Sequence, residues 1–394
     1  MLTLNTDAKV SDAPATTTLN QLPTPSLVLD ALKVDRNLKR LKDRAEQLGV
    51  TLRPHLKTAK SIEIARKAMP TPSGPATVST LKEARLFAEG GVKDIVYAVG
   101  ITPAKLEEVV ALSRDNTVIT VILDNMDQAR AVAEASRKAG FPIPALIEID
   151  CDGHRSGVLP EDADTLVAIG QALVDGGAAL RGVITHAGES YSARSAEALE
   201  QAAEGERLAV VNAAAILRSE GLPCPIVSVG STPTAHFAKD LTGVTELRAG
   251  VYMFFDLVMR GIGVCETDDI ALSVLTTVIG HQKEKNWLLV DAGWMAMSRD
   301  RGTAKQPVDC GYGLVCDLEG NLIPDFVLMD ANQEHGIISI RPGSDAKLPD
   351  LKLGDRLRIL PNHACATGAQ HDKYYVVEGR SEEVTAIIPR FSGW

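Results

Sequence analysis

The sequence predicts an α/β chain: a (β/α)8 barrel over residues 31–255, then an antiparallel β domain over residues 256–394 that takes a further strand from residues 1–30. Three observations carry this expectation. From about residue 26 to 249, short β-rich runs alternate with amphipathic helical stretches, as in βα units around a parallel sheet. Four polar clusters, RPHLK, DCDGHRSG, THAGESY and VGSTPT, each follow one of those runs directly. After about residue 256 helical periodicity fades and Gly-rich turns separate alternating strands, the pattern of an antiparallel sheet.

Taken in order, the apolar runs of the first half are 27–29, 51–53, 77–79, 95–98, 118–123, 146–149, 182–185, 226–229 and 245–247. Between the first two, Val34, Leu38, Leu41, Ala45 and Leu48 recur at alternating spacings of four and three, which builds one apolar helix face. Nine runs exceed the eight strands of a (β/α)8 barrel, so the first is assigned to the other sheet and the barrel opens at 51–53. That choice puts all four polar clusters past strand C-termini, the face where active sites of such barrels lie. In the second half, ALSVLTTVIG, NWLLVDAGW, YGLVCDLEGN, GIISI, DRLRIL, YYVVEG and EVTAIIP read as strands.

A chain of 394 residues exceeds what one ordinary core supports. Its net charge of −10 argues against nucleic acid or an anionic membrane surface as partner, since both recruit basic stripes. The first twenty residues lack the basic and apolar regions of a secretory signal, and no later stretch approaches a membrane span, so a cytoplasmic location is expected. Six scattered cysteines without a C-x-x-C pair are expected to be free thiols in that compartment. The Ala/Thr-rich N-terminal tail is expected to be flexible.

Lys57 stands in the first cluster with Arg53, His55 and Lys60. A lysine amine attacks an aldehyde when unprotonated, and neighbouring cations promote that state; the same residues equally suit a solvated basic loop. Gly230, Ser231 and Thr232 offer open backbone N–H groups and hydroxyls where barrels of this kind hold phosphate, although a plain Ser/Thr helix cap has the same composition. Arg155 and the pair His186 and Tyr191 lie in two further clusters, with side chains able to face and hydrogen-bond a conjugated ring. In the β domain, His363 and Cys365 are two apart; on a strand they would share a side and could converge on one cation, zinc being favoured by a thiolate with an imidazole. The alternative is a buried thiol beside a surface histidine. Gln333 and His335, in the NQEHG turn, suit substrate contact or turn chemistry alike.

Together these segments, from Leu22 onward, closely resemble the D-serine dehydratase, D-threonine aldolase and D-threo-3-hydroxyaspartate dehydratase family, related in fold to alanine racemase. The resemblance implies pyridoxal 5'-phosphate (PLP) as cofactor. Lys57 of RPH-x-K would be the Schiff-base lysine, and Gly230, Ser231, Thr232, Gly250 and Tyr252 of the GST and RAGVY segments would hold the phosphate. His186 and Tyr191 of THAG-x-x-Y would lie at the ring, with Arg155 of DGHRSG beside its phenolate oxygen. His363 and Cys365 would hold Zn2+ or another divalent ion. H-x-C, with the segments GVYMFFDLVMR and LPNHACATGAQ, is most similar to the D-threo-3-hydroxyaspartate dehydratases; aldolases of the family show H-x-D. The expected activity is elimination of water from a β-hydroxy D-amino acid to a 2-oxo acid and ammonia, in a homodimer. Two alternatives stand beside it: an aldolase releasing glycine and an aldehyde, and a non-enzymatic PLP-homeostasis protein, which the long β domain with its H-x-C pair disfavours.

Overall fold

The computed structural model of the chain describes residues 11–12, 17–114 and 116–394; most of the tail expected to be flexible lies outside them. Two strands come first, β1 (Ser11–Asp12) and β2 (Ser26–Asp30). Eight follow as one parallel sheet: β3 (Thr51–Pro54), β4 (Ala76–Val78), β5 (Asp94–Gly100), β6 (Val118–Leu123), β7 (Pro144–Ile149), β8 (Ala179–Thr185), β9 (Ile226–Val229) and β10 (Glu246–Ala249). The remaining strands are β11 (Leu272–Gln282), β12 (Trp287–Val290), β13 (Gly313–Cys316), β14 (Leu322–Ala331), β15 (Gly336–Ile340), β16 (Arg356–Pro361), β17 (Lys373–Val377) and β18 (Ala386–Pro389). The chain divides into two units, Lys39–Gly250 with Trp394, and Met1–Leu38 with Val251–Gly393.

In the first unit the strand order is β3-β10-β9-β8-β7-β6-β5-β4. The last strand returns to the first through the register Glu246↔Thr51 to Ala249↔Pro54. Between β3 and β4 the join is a single bridge, His55↔Thr77, so the barrel is nearly closed. Val96, Ile122, Leu146 and Ile184, on four neighbouring strands, form one buried apolar layer, each worth about 1.5–3 kcal/mol on full burial. Charged residues are buried in the same unit. Arg53 binds Glu246 and Asp94, both at 2.9 Å, and Arg248 donates to the Thr185 carbonyl. Burying these guanidinium groups is tolerable because each is paired.

All nine predicted runs coincide with strands, and the first lies in the other sheet, as the count requires. In helix Ala31–Gln47, Val34, Leu38, Leu41 and Ala45 are buried as their spacing predicts, while Leu48 falls beyond its end.

The second unit carries a ten-stranded sheet in the order β1-β18-β17-β2-β11-β12-β15-β14-β13-β16, and β16 also pairs with β11. That extra pairing closes β11, β12, β15, β14, β13 and β16 into a barrel. Every pairing is antiparallel except β2 with β17, which is parallel. Strand β14 is absent from the predicted set. Pro324 and Asp325, the latter at φ 61°, interrupt its alternation, and its first half is largely exposed, so hydrophobic periodicity gives no signal there. Among the described residues no helix is long and apolar enough to cross a membrane, and all six cysteines are free.

Candidate functional site

The four polar clusters occupy the segments at the ends of β3, β7, β8 and β9, and Lys57, Arg155 and the Gly230 carbonyl act on His186 of the third. Its Nδ1 lies 2.9 Å from the Gly230 carbonyl oxygen, so Nδ1 carries the proton and donates. Burial pushes this imidazole down to about 3, and the positive charges of Arg155, Arg248 and Lys57 add to the effect. A neutral ring in one tautomer results. The Tyr191 ring is tilted at 52° with its centroid 6.4 Å away.

Lys57 is the exposed residue of an otherwise buried turn after the His55 bridge, and its backbone N–H faces His55 Nδ1 at 3.5 Å. Burial, then the Lys57 charge, hold His55 well below the ordinary imidazole range. The other two expected cationic neighbours are engaged elsewhere. Arg53 is held by Glu246 and Asp94, and Lys60 pairs with buried Glu83 at 3.0 Å. Of the three, His55 alone stays beside Lys57, through the Lys57 backbone.

At the small-residue loop, Gly230 has φ 148°, and a Cβ there would stand 1.8 Å from the Arg248 carbonyl oxygen, so the backbone approaches β10 as only glycine allows. Ser231 caps helix Thr232–Phe237, accepting from Thr234 N–H, and its hydroxyl is 3.0 Å from that of Ser190. The cap expected as the plain alternative is therefore present. Thr232 differs: its buried hydroxyl has no partner among the described residues, an orphan of the kind a phosphate oxygen would satisfy. Gly250 closes on the same segment, where an added Cβ would meet Thr58 Oγ1 at 3.0 Å and the His55 carbonyl oxygen at 3.1 Å. The residues of this rim fit a phosphorylated, ring-bearing group on these grounds.

In the other unit, β16 stops at Pro361 and His363 precedes the short helix Ala364–Gly368 without a capping bond of its own. The expectation that His363 and Cys365 alternate along a strand is thereby corrected: they span a strand-to-helix junction. They are nevertheless neighbours, because the Cys365 side chain hydrogen-bonds His363. Buried Asp256 fixes the junction, its two oxygens accepting from Met259 N–H and Ala364 N–H, both at 3.0 Å. Thr367 donates to the Met297 carbonyl at 2.7 Å, and Asp300 Oδ2 meets His363 Nδ1 at 2.6 Å. Burial opposes charge on His363, yet the bonds to Asp300 and Cys365 outweigh it and raise the imidazole to about 11. Among the described residues no three His, Cys, Asp or Glu side chains are grouped to hold a metal. The imidazole–thiol pair suits a soft divalent ion with further positions left to water or substrate.

Tyr252 is fully buried, and its hydroxyl has no partner among the described residues. Gln333 and His335 sit exposed in the turn between β14 and β15. Their segment receives the start of helix Trp294–Met297 through bonds from Trp294 N–H to the Asn332 carbonyl and from Met295 N–H to the Gln333 carbonyl. Three residues here carry weight that sequence reasoning missed. Glu206 and Asp300 sit among many like charges, without any local marker. Arg248 lies within the RAGVY segment itself, where only Gly250 and Tyr252 were singled out.

A nearly closed parallel barrel with a neutral histidine, a lysine and a small-residue loop on one rim, in a chain with a β barrel of its own, defines an enzyme of the alanine-racemase type. Residues 29–258 match the family model "Alanine racemase, N-terminal domain", and residues 271–377 match "Putative serine dehydratase domain". The D-threo-3-hydroxyaspartate dehydratase of Delftia sp. (strain HT23) is 52% identical over 379 residues, covering 96% of this chain and 99% of that one. The D-serine dehydratase of Dictyostelium discoideum is 31% identical, covering 94% and 97%. The solved structure of the Delftia dehydratase has a TM-score of 0.93 at 52% identity, over 96% of this chain and 100% of that chain. A cysteine-to-alanine variant of that dehydratase has been solved in a metal-free form. The chain belongs to the alanine-racemase-like family of D-serine and D-threo-3-hydroxyaspartate dehydratases, whose named members are lyases and include, at 30% identity, the D-threonine aldolase of Arthrobacter sp.

Proposed function

We propose that the protein is a PLP- and zinc-dependent dehydratase that converts a β-hydroxy D-amino acid, of the 3-hydroxyaspartate type first and D-serine second, into a 2-oxo acid and ammonia. The observation that carries this reading is the convergence on His186 of Lys57, Arg155 and the Gly230 loop. Gly230, Ser231, Thr232, Gly250 and Tyr252 would hold the phosphate, His186 and Tyr191 the ring, Arg155 the phenolate oxygen, and Lys57 the aldehyde carbon.

When bound, the conjugated ring delocalises the electron pair left at the substrate Cα. The Lys57 amine takes the α-proton and keeps it on Nζ. His363 and Cys365 would hold the divalent ion, whose Lewis acidity eases departure of the β-hydroxyl. His186, neutral through the working pH range, adds no positive charge against the ring. Loss of water across Cα–Cβ followed by hydrolysis at Cα releases ammonia and the 2-oxo acid. Gln333 and His335 are proposed as substrate contacts. We further propose a cytoplasmic homodimer, a location in keeping with six free thiols.

The test is a product assay on D-3-hydroxyaspartates, D-serine and D-threonine, with and without chelator. Ammonia and 2-oxo acid in equal amounts, lost on chelation, are expected. Glycine and an aldehyde as main products would assign the aldolase reaction, and no turnover of any substrate by the PLP- and zinc-loaded protein would overturn the enzymatic reading.

A further inference from the structure

One buried carboxylate ties together the backs of two rim loops. Helix Ala196–Ser219 buries Leu199, Ala203, Ala209, Val210, Ala213, Ala214 and Leu217, and among them a single charged residue, Glu206, which is 2% exposed. Its Oε1 accepts from Ala187 N–H at 3.1 Å and from Gly230 N–H at 2.9 Å. The Thr234 side chain also hydrogen-bonds it, and Arg248 lends positive charge nearby. An apolar helix face gains nothing from a glutamate, and burying one is costly unless its oxygens are fully engaged. Here they are engaged by two loops at once. Ala187 directly follows His186, and Gly230 directly precedes Ser231 and Thr232. The Glu206 oxygen thus sets the separation between the histidine loop and the small-residue loop, in parallel with the His186–Gly230 bond of 2.9 Å.

We propose that Glu206 is a positioning residue for the coenzyme: it holds the phosphate-binding loop in register with the ring-facing His186, acting through both without touching the coenzyme. This role rests on the coenzyme reading given above. Glu206→Met keeps the length of the side chain and removes the one oxygen, Oε1, that accepts from both N–H groups.

The test titrates apoprotein with PLP and with pyridoxal, which lacks the phosphate, following the absorbance band of the lysine-linked coenzyme. In the wild type PLP is expected to bind far more tightly than pyridoxal. In Glu206→Met that preference is expected to fall at least about tenfold, because misplacing the phosphate loop penalises only the phosphorylated ligand. A preference unchanged within about twofold overturns the proposal, even if thermal stability drops, since a merely structural role would move stability alone. Should Glu206→Met fail to fold, Glu206→Asp, which keeps the charge but shortens the reach, carries the same comparison with the same two outcomes. A wild-type apoprotein that develops no band overturns the coenzyme reading and this role with it, whereas a normal band with an unchanged preference overturns this role alone.

Discussion

His363 Nδ1 and Asp300 Oδ2 stand 2.6 Å apart, so the carboxylate occupies one ring nitrogen and leaves Nε2 as the one to donate to a metal. Carboxylates placed this way fix the ring and raise its basicity toward the ion. Asp300→Asn preserves size and removes charge. The affinity of metal-stripped protein for zinc, read by competition with a chromophoric chelator, is expected to drop roughly 10–100-fold. An unchanged affinity would detach Asp300 from the metal.

Two lysines three residues apart compete for the role of coenzyme carrier, and their surroundings separate them. Lys60 is committed to Glu83 at 3.0 Å, whereas Lys57 is exposed beside His55. Lys57→Ala is expected to abolish the absorbance band of the lysine-linked coenzyme, and Lys60→Ala to retain it. A band that survives in the first variant, or vanishes only in the second, would reassign the carrier.

The barrel was legible because its strands are short apolar runs alternating with helical stretches, and four of them end directly in a polar cluster. The first run, Ser26–Asp30, could be set aside by counting alone. Strand β14 was not legible, since Pro324 and Asp325 break its alternation. The H-x-C pair was visible but its backbone was not: nothing local says that Pro361 ends the strand and that Ala364 begins a helix capped by Asp256, more than a hundred residues upstream. Glu206 was invisible for a similar reason. A glutamate within AEGERLAVV reads as solvated, and only the folded arrangement shows it accepting from Ala187 and Gly230.

Gly230 and Gly205 give opposite expectations for the same change. At Gly230 the backbone has φ 148° and a new Cβ would lie 1.8 Å from the Arg248 carbonyl oxygen, so Gly230→Ala should cost about 3 kcal/mol or more. At Gly205, inside helix Ala196–Ser219, an added Cβ meets nothing within 4 Å. Gly205→Ala should therefore stabilise by roughly 0.5–1 kcal/mol. Urea unfolding of both variants provides the comparison, and a tolerated Gly230→Ala would mean the loop does not approach β10 as described.

A histidine buried in its neutral form weakens the fold as pH falls, and His236 is the one to probe. It is 8% exposed on helix Thr232–Phe237, and its Nδ1 donates to the Thr232 carbonyl at 2.8 Å. Burial, reinforced by the charges of Arg40 and Arg44, holds the imidazole at about 3. The unfolded chain takes up a proton at this residue as pH falls through about 6.5, while the folded chain stays neutral to about 3. Protons therefore favour unfolding across that window, and stability present above pH 6.5 is lost by about 1.4 kcal/mol per pH unit from this residue. His236→Asn keeps a donor for Thr232 and removes the titration. It should be less stable than wild type at pH 7, yet the gap should narrow steadily between pH 6.5 and 4.5 in urea unfolding, because only the wild type carries this proton uptake. Parallel stability curves for the two proteins would mean that His236 is already protonated in the fold or equally neutral in both states.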